Sequence, residues 1–137
     1  MTTARDIMTA GAECVGENET LMDAAIRMRD LDVGSLPICG EDGRLKGILT
    51  DRDIVIKCIA EGGDPQQATA GSLAQGKPVT IGADDDVDEM LRTMKEHKVR
   101  RLPVIDGHDL VGMVAQADVA RALPEERVGE LVDAISS

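Results

Sequence analysis

The sequence predicts an α/β (α+β) protein of two β-α-β-β-α repeats packed sheet to sheet about a pseudo-two-fold axis, followed by a C-terminal helix. Three observations predict it. Gly34-Ser35-Leu36-Pro37-Ile38 returns as Arg100-Arg101-Leu102-Pro103-Val104, with Thr3-Ala4 on Thr69-Ala70, Met28 on Met94 and Val33 on Val99 at one constant offset. One residue shorter in offset, Leu45-x-Gly47 falls on Leu110-x-Gly112 and Asp53 on Asp118. A fixed internal period means one supersecondary unit used twice. Each unit also changes from helical to strand periodicity in the same order, and one unit has too few strands to bury both faces of a sheet.

Each repeat opens with a short helical turn, Ala4 to Met8 and Ala70 to Ala74, and a short strand near Cys14-Val15 and near Val79 to Ile81. A helix follows. Thr20 and Asp23 have the spacing of a capping box, and Asp86 and Glu89 take the equivalent places. Leu21, Ala24, Ala25 and Met28 then recur at helical spacing, as do Val87, Met90, Leu91 and Met94. Two strands come next, Leu36 to Cys39 and Leu45 to Leu49, turned by Glu41-Asp42-Gly43. Their counterparts are Leu102 to Ile105 and Leu110 to Val114, turned by Asp106-Gly107. A second helix begins near Asp51 and near Gln116. The expected division is 1–61 for the first repeat, 62–68 for a Gly-Pro linker, 69–123 for the second repeat and 124–137 for the last helix. In that helix, opened by Pro124, residues Val128, Leu131, Val132 and Ile135 form an apolar stripe that must cover a core edge or a homodimer interface.

Composition bounds the function. The formal charge of −11 and the absence of Phe, Tyr and Trp argue against nucleic acid, which asks for a basic footprint and aromatic platforms. The same charge disfavours anionic membranes, and no apolar run is long enough to span a bilayer. With no apolar leader at the N-terminus, a cytoplasmic protein is expected. Cys14, Cys39 and Cys58 form no C-x-x-C, and no cluster suggests a metal site. Gly71 to Lys77 matches G-x-x-x-x-G-K, but Pro78 follows where a Mg²⁺-binding hydroxyl is required. Asp84-x-Asp86-x-Asp88 opens like a calcium loop, yet Glu89 and Lys95 stand where Gly and Glu are needed, so it reads as an acidic helix start. His97 and His108 lie near no nucleophile, and no catalytic constellation is present; the chain reads as a binding module, not an enzyme.

Taken together, a Leu-Pro-aliphatic strand, a Gly-aliphatic strand end and an Asp a few residues on, in both halves, resemble the tandem CBS-domain pair, or Bateman module. Thr3 to Met8 and Thr50 to Val55 are similar to those of small stand-alone bacterial members, including the actinobacterial hypoxic-response type. The resemblance runs from Thr3 to about Leu123. It implies a regulatory module that needs no cofactor, dimerises, and binds an adenosine-containing molecule (AMP, ADP, ATP, NAD or S-adenosylmethionine) between its repeats.

Residue by residue, the family's ribose motif Gly-h-x-Ser/Thr-x-x-Asp is complete in Gly47-Ile48-Leu49-Thr50-Asp51-Arg52-Asp53. A carboxylate offers a ribose diol two acceptors, and the Thr hydroxyl can meet a ribose or phosphate oxygen. Thr50-x-x-Asp53 is equally a plain capping box. The resemblance pairs it with Arg100 and Arg101 as phosphate contacts and with Val33 and Gly34 in the same binding set. The second cleft departs from the pattern: Ala115 replaces the hydroxyl, Gly34 and Ser35 stand where the first has arginines, and Asp118 is left as a weaker site. The fold also implies that Cys14 and Cys39 lie on neighbouring strands within reach of a disulfide, although a reducing compartment opposes one. The competing reading is a ligand-free structural or interaction protein, redox-responsive through those two cysteines.

Overall fold

The structure, a computed structural model, describes residues 2–11, 13–76 and 78–136. In chain order the elements are α1 (Ala4–Ile7), β1 (Thr9–Ala10), β2 (Val15–Gly16), α2 (Leu21–Leu31), β3 (Ser35–Cys39), β4 (Leu45–Thr50) and α3 (Asp51–Asp53). The helix begun by α3 runs on as a π-helical stretch, Ile54–Ile59, and a 3₁₀ turn forms at Ala70–Leu73. Then follow β5 (Ile81–Gly82), α4 (Val87–His97), β6 (Arg101–Asp106), β7 (Asp109–Ala115), α5 (Gln116–Ala122) and α6 (Glu125–Ser136). The mixed α/β class and the repeated element order are those the sequence predicts.

The chain forms two compact units, and they do not follow the sequence repeats. One is Glu13–Pro78; the other joins Met1–Ala12 to Val79–Ser137. The reason lies in the lead-in segments. Ala4 donates its N–H to the Asp85 carbonyl (2.9 Å), Arg5 to that of Ala83 (2.9 Å), and Thr3 bridges Asp86 at the start of α4. In the mirrored arrangement Ala70 donates to Glu19 (2.8 Å), Gly71 to Glu17 (2.8 Å), and Thr69 bridges Thr20 at the start of α2. Ala4 and Ala70 are both fully buried, each in the core of the unit built on the other repeat.

Within Glu13–Pro78 the sheet order is β2-β3-β4, with β2 parallel to β3 and β3 antiparallel to β4. Leu21, Ala24 and Met28 of α2 pack on Leu36, Ile38 and Leu49, and Ile54 and Cys58 close the core from the π-helical stretch. The other unit has the order β1-β7-β6-β5, with β5 parallel to β6 and both β6 and β1 antiparallel to β7. Its core is Met90, Leu91 and Met94 against Leu102, Val104, Val114 and Val119. Strand β1 is the one element absent from the sequence reading; two residues carry no periodicity, and their pairing partner lies a hundred residues away.

The C-terminal stripe covers a core edge. Leu131 is fully buried in the second unit, Val128 and Ile135 pack against its core, and only Val132 turns outward. Pro124 sits just ahead of α6, and its carbonyl accepts from Arg127 (3.0 Å) and Val128 (3.2 Å). Asp86 caps α4 by accepting from the Glu89 N–H at 2.8 Å, as an acidic helix start requires. Of the stretch that imitates a phosphate loop, Gly71 to Leu73 lie in the 3₁₀ turn, and Lys77 falls outside the described residues.

Candidate functional site

In the Glu13–Pro78 unit, the expected residues Val33, Gly34, Thr50 and Asp53 gather at one end of the sheet. Ser35 faces Thr50 across the β3–β4 pair, and the Gly34 carbonyl accepts the Asp51 N–H at 3.0 Å. A Cβ at Gly34 would meet an Asp51 carboxylate oxygen at 3.4 Å, which places the two residues side by side at this corner. The preceding helix α2 ends on Asp32 in the left-handed region (φ 55°), which turns the chain so that Val33 stands 43% exposed beside the corner. Thr50 keeps the extended dihedrals of the strand, and its side chain caps the helix that begins at the next residue.

The capping box is fully formed. Asp53 donates its N–H to Thr50 Oγ1 (3.0 Å), and Thr50 donates its N–H to Asp53 Oδ2 (3.1 Å). Asp53 Oδ1 faces Lys57 Nζ at 3.4 Å, and the Asp53 side chain keeps 18% of its surface in solvent. Both readings of Thr50-x-x-Asp53 therefore stay physically open: the carboxylate caps, and one oxygen remains held only by a flexible exposed lysine.

The other expected residues, Arg100, Arg101 and Asp118, gather at the matching corner of the second unit. Arg101 faces Ala115 across the β6–β7 pair, and the Arg100 carbonyl accepts the Gln116 N–H at 3.1 Å. Both arginine side chains are exposed, and among the described residues neither guanidinium is held in a hydrogen bond or ion pair. In a chain of net charge −11 that is a local excess of positive charge with no internal use. Asp118 differs from Asp53. Its side chain is only 6% exposed, Oδ2 accepts the Ala115 N–H (2.8 Å), and Oδ1 accepts from both Thr9 Oγ1 (3.1 Å) and Arg121 (2.5 Å). Thr9 and Arg121 had no place in the sequence reading. Arg121 stands at i+3 from Asp118, a spacing that marks a helix ion pair; nothing in the sequence pairs Thr9 with it.

Cys14 and Cys39 form a disulfide with Cα atoms 5.7 Å apart, and Cys58 is a buried free thiol. Arg27 of α2 donates to the Cys14 carbonyl (2.7 Å) and in a fork to both oxygens of Glu19 (3.1 and 3.0 Å). That fork, with the Gly16 N–H, holds the Glu19 carboxyl below the usual glutamate range. Glu13, Glu19, Asp23, Ile26, Arg27, Asp30 and Leu31 line a shallow acidic groove beside it.

A family model for the CBS domain matches residues 4–59 and again 70–125. The chain belongs to the CBS-domain family. It is a CBS pair, a regulatory module of a kind that is in general non-catalytic. Over 137 residues it is 58% identical to Hypoxic response protein 1 of Mycobacterium tuberculosis (strain ATCC 25618 / H37Rv), covering 100% of this chain and 96% of that protein. A crystal structure of Hypoxic Response Protein I with two coordinated zinc ions aligns with a TM-score of 0.83 and 60% identity over 90% of this chain and all of that one. CBSX2 in complex with AMP aligns with a TM-score of 0.76 and 25% identity, over 89% of this chain and 96% of that one. Zinc sites are built from about four Cys, His or carboxylate ligands. Among the described residues no group of three such side chains is placed to hold a metal ion. No helix among them is long and apolar enough to cross a membrane.

Proposed function

We propose that this CBS pair senses an adenosine-containing small molecule, AMP, ADP, ATP, NAD or S-adenosylmethionine. Thr50 and Asp53 receive the ribose, Arg100 and Arg101 the phosphate, and Val33 and Gly34 the remainder of the ligand. One observation carries the reading: the complete strand-to-helix corner Gly47 to Asp53, whose carboxylate is partly open while its counterpart Asp118 is closed. The two free guanidiniums supply the charge a phosphate needs, in the bidentate form arginine offers. The AMP held by CBSX2 supports the ligand class. With no Phe, Tyr or Trp in the chain, the base lies against aliphatic surface such as Val33. The family resemblance, and no measured distance, assigns the two sets of residues to one ligand.

A homodimer is part of the proposal. Because the C-terminal stripe is spent on the core, the face formed by Val55, Ile56 and Ile59, each 44–54% exposed, is the apolar surface for it. Light scattering at micromolar concentration is expected to give two chains per particle. The ligand is tested by thermal shift against the five molecules named. A ligand that binds only the folded chain stabilises it by about 2.7 kcal/mol at a hundred times its Kd. A shift with at least one of the five supports the reading; no shift with any overturns it.

The Cys14–Cys39 disulfide favours a second reading, a redox-responsive interaction module without a nucleotide. The same panel separates the two, since only the first reading predicts a nucleotide-dependent shift.

A further inference from the structure

The two repeats carry equivalent carboxylates, and the structure treats them differently. Among the described residues Asp53 has no partner from outside its own helix and cap: Thr50 caps it, and Lys57 approaches from one turn on. Asp118 is closed from three directions. Its own helix start supplies the Ala115 N–H, the next turn supplies Arg121, and the N-terminal strand β1 supplies the Thr9 hydroxyl. The sequence differences behind this are specific. Where Arg121 stands, the first repeat has Ile56; where Thr9 stands, the equivalent residue is Gln75. The Arg121 side chain is 69% exposed, so its guanidinium reaches Asp118 from the solvent side. The Thr9 hydroxyl and the Arg121 guanidinium thus take acceptor positions on the carboxylate that a ribose diol would otherwise use.

We infer that Thr9 and Arg121 are intramolecular occupants of the second repeat's acceptor carboxylate, so that the chain has one adenosine site rather than two. This rests on the reading of Asp53 as a ribose acceptor. Arg121 and Thr9 then act as specificity-determining residues for stoichiometry. Asp118, kept through the repeat, is used to fasten β1 to the start of α5.

The test is equilibrium dialysis of the full chain with adenosine, which carries no phosphate and so does not depend on cations near Asp118. The compared proteins are wild type, the variant Thr9→Ala/Ala115→Thr/Arg121→Ala, and the same variant with Asp118→Asn. The middle change restores the missing hydroxyl. All three changed side chains of the first variant lie at or near the surface; circular dichroism checks that it folds, and Arg121→Ala alone serves in its place if it does not. The inference expects one equivalent bound by wild type, two by the opened variant, and one again after Asp118→Asn. Two equivalents on wild type, or no gain in the opened variant, overturn it. If wild type binds none, the Asp53 reading fails. The one-site stoichiometry fails with it, and the occupancy of Asp118 is decided separately: one equivalent gained by the variant and lost with Asp118→Asn supports Thr9 and Arg121 as its occupants, and none gained overturns that.

Discussion

Reduction or removal of the Cys14–Cys39 disulfide is expected to weaken one half of the molecule selectively. The two cysteines are 25 positions apart, and the loop they close contains the whole of α2. Chain-entropy accounting for a loop of that length gives about 3.5 kcal/mol of stabilisation, acting on the unfolded state. Losing it by Cys14→Ser/Cys39→Ser should lower the midpoint of thermal unfolding by roughly 10 °C, at about 3 °C per kcal/mol for a chain of this size. Both cysteines belong to the Glu13–Pro78 unit, so the loss should fall there. Hydrogen exchange read by mass spectrometry locates it: α2 and β3 should exchange faster, and α4 and β6 should not. A double variant with an unchanged midpoint, or one whose exchange rises equally in α4 and β6, would refute the reasoning. The same midpoint should be reached by wild type in reductant, which leaves the side-chain volumes in place.

Lys98, like Asp32, sits in the left-handed region (φ 52°) at a helix end, and lysine lacks the aspartate's tolerance for it. Lys98→Gly is expected to raise stability by about 0.5–1 kcal/mol in urea titrations; a loss would contradict the strain argument. Glu19 is held below the ordinary glutamate range by Arg27, so the folded state binds its proton less readily than the unfolded one. Its contribution is present above the unfolded value near 4.5 and is lost as pH falls through the lower folded value. Glu19→Gln should therefore flatten the acid limb of the stability–pH curve, a modest effect because the pair is partly exposed. Leu131→Ala, in the fully buried centre of the C-terminal stripe, should cost about 2–5 kcal/mol. Val132→Ala, at 40% exposure, should change stability by no more than about 0.5 kcal/mol. Equal costs would mean the stripe is not seated as described.

The fold was legible because the repeat is written twice. Leu36-Pro37-Ile38 and Leu102-Pro103-Val104 mark the central strand of each sheet, and the helix periods of α2 and α4 follow from single faces. Local signals fixed the caps at Thr20, Thr50 and Asp86, since a capping side chain acts on a backbone N–H three residues on. The exchange of lead-in segments was not legible. Ala4 and Ala70 look alike in sequence, and nothing local tells which repeat's core each enters. For the same reason the sequence distinguishes Asp53 from Asp118 by Ala115 but cannot show that Thr9 closes the second carboxylate. Long-range pairing of a two-residue strand is invisible to periodicity. The C-terminal stripe illustrates the limit: its spacing demanded a cover, and only the packing of Leu131 shows that the cover is the chain's own core.

The most direct test of the central claim is isothermal titration calorimetry of AMP into wild type, Asp53→Asn and Asp118→Asn. Asparagine at 53 keeps an oxygen for the Thr50 N–H, so the helix cap survives while one ribose acceptor is replaced by a donor. A charged hydrogen bond lost to a bound ligand costs about 1.5–3 kcal/mol, or roughly a 10- to 150-fold rise in Kd. The account predicts that rise for Asp53→Asn and wild-type affinity for Asp118→Asn. Equal affinity for wild type and Asp53→Asn, or a loss confined to Asp118→Asn, would contradict it.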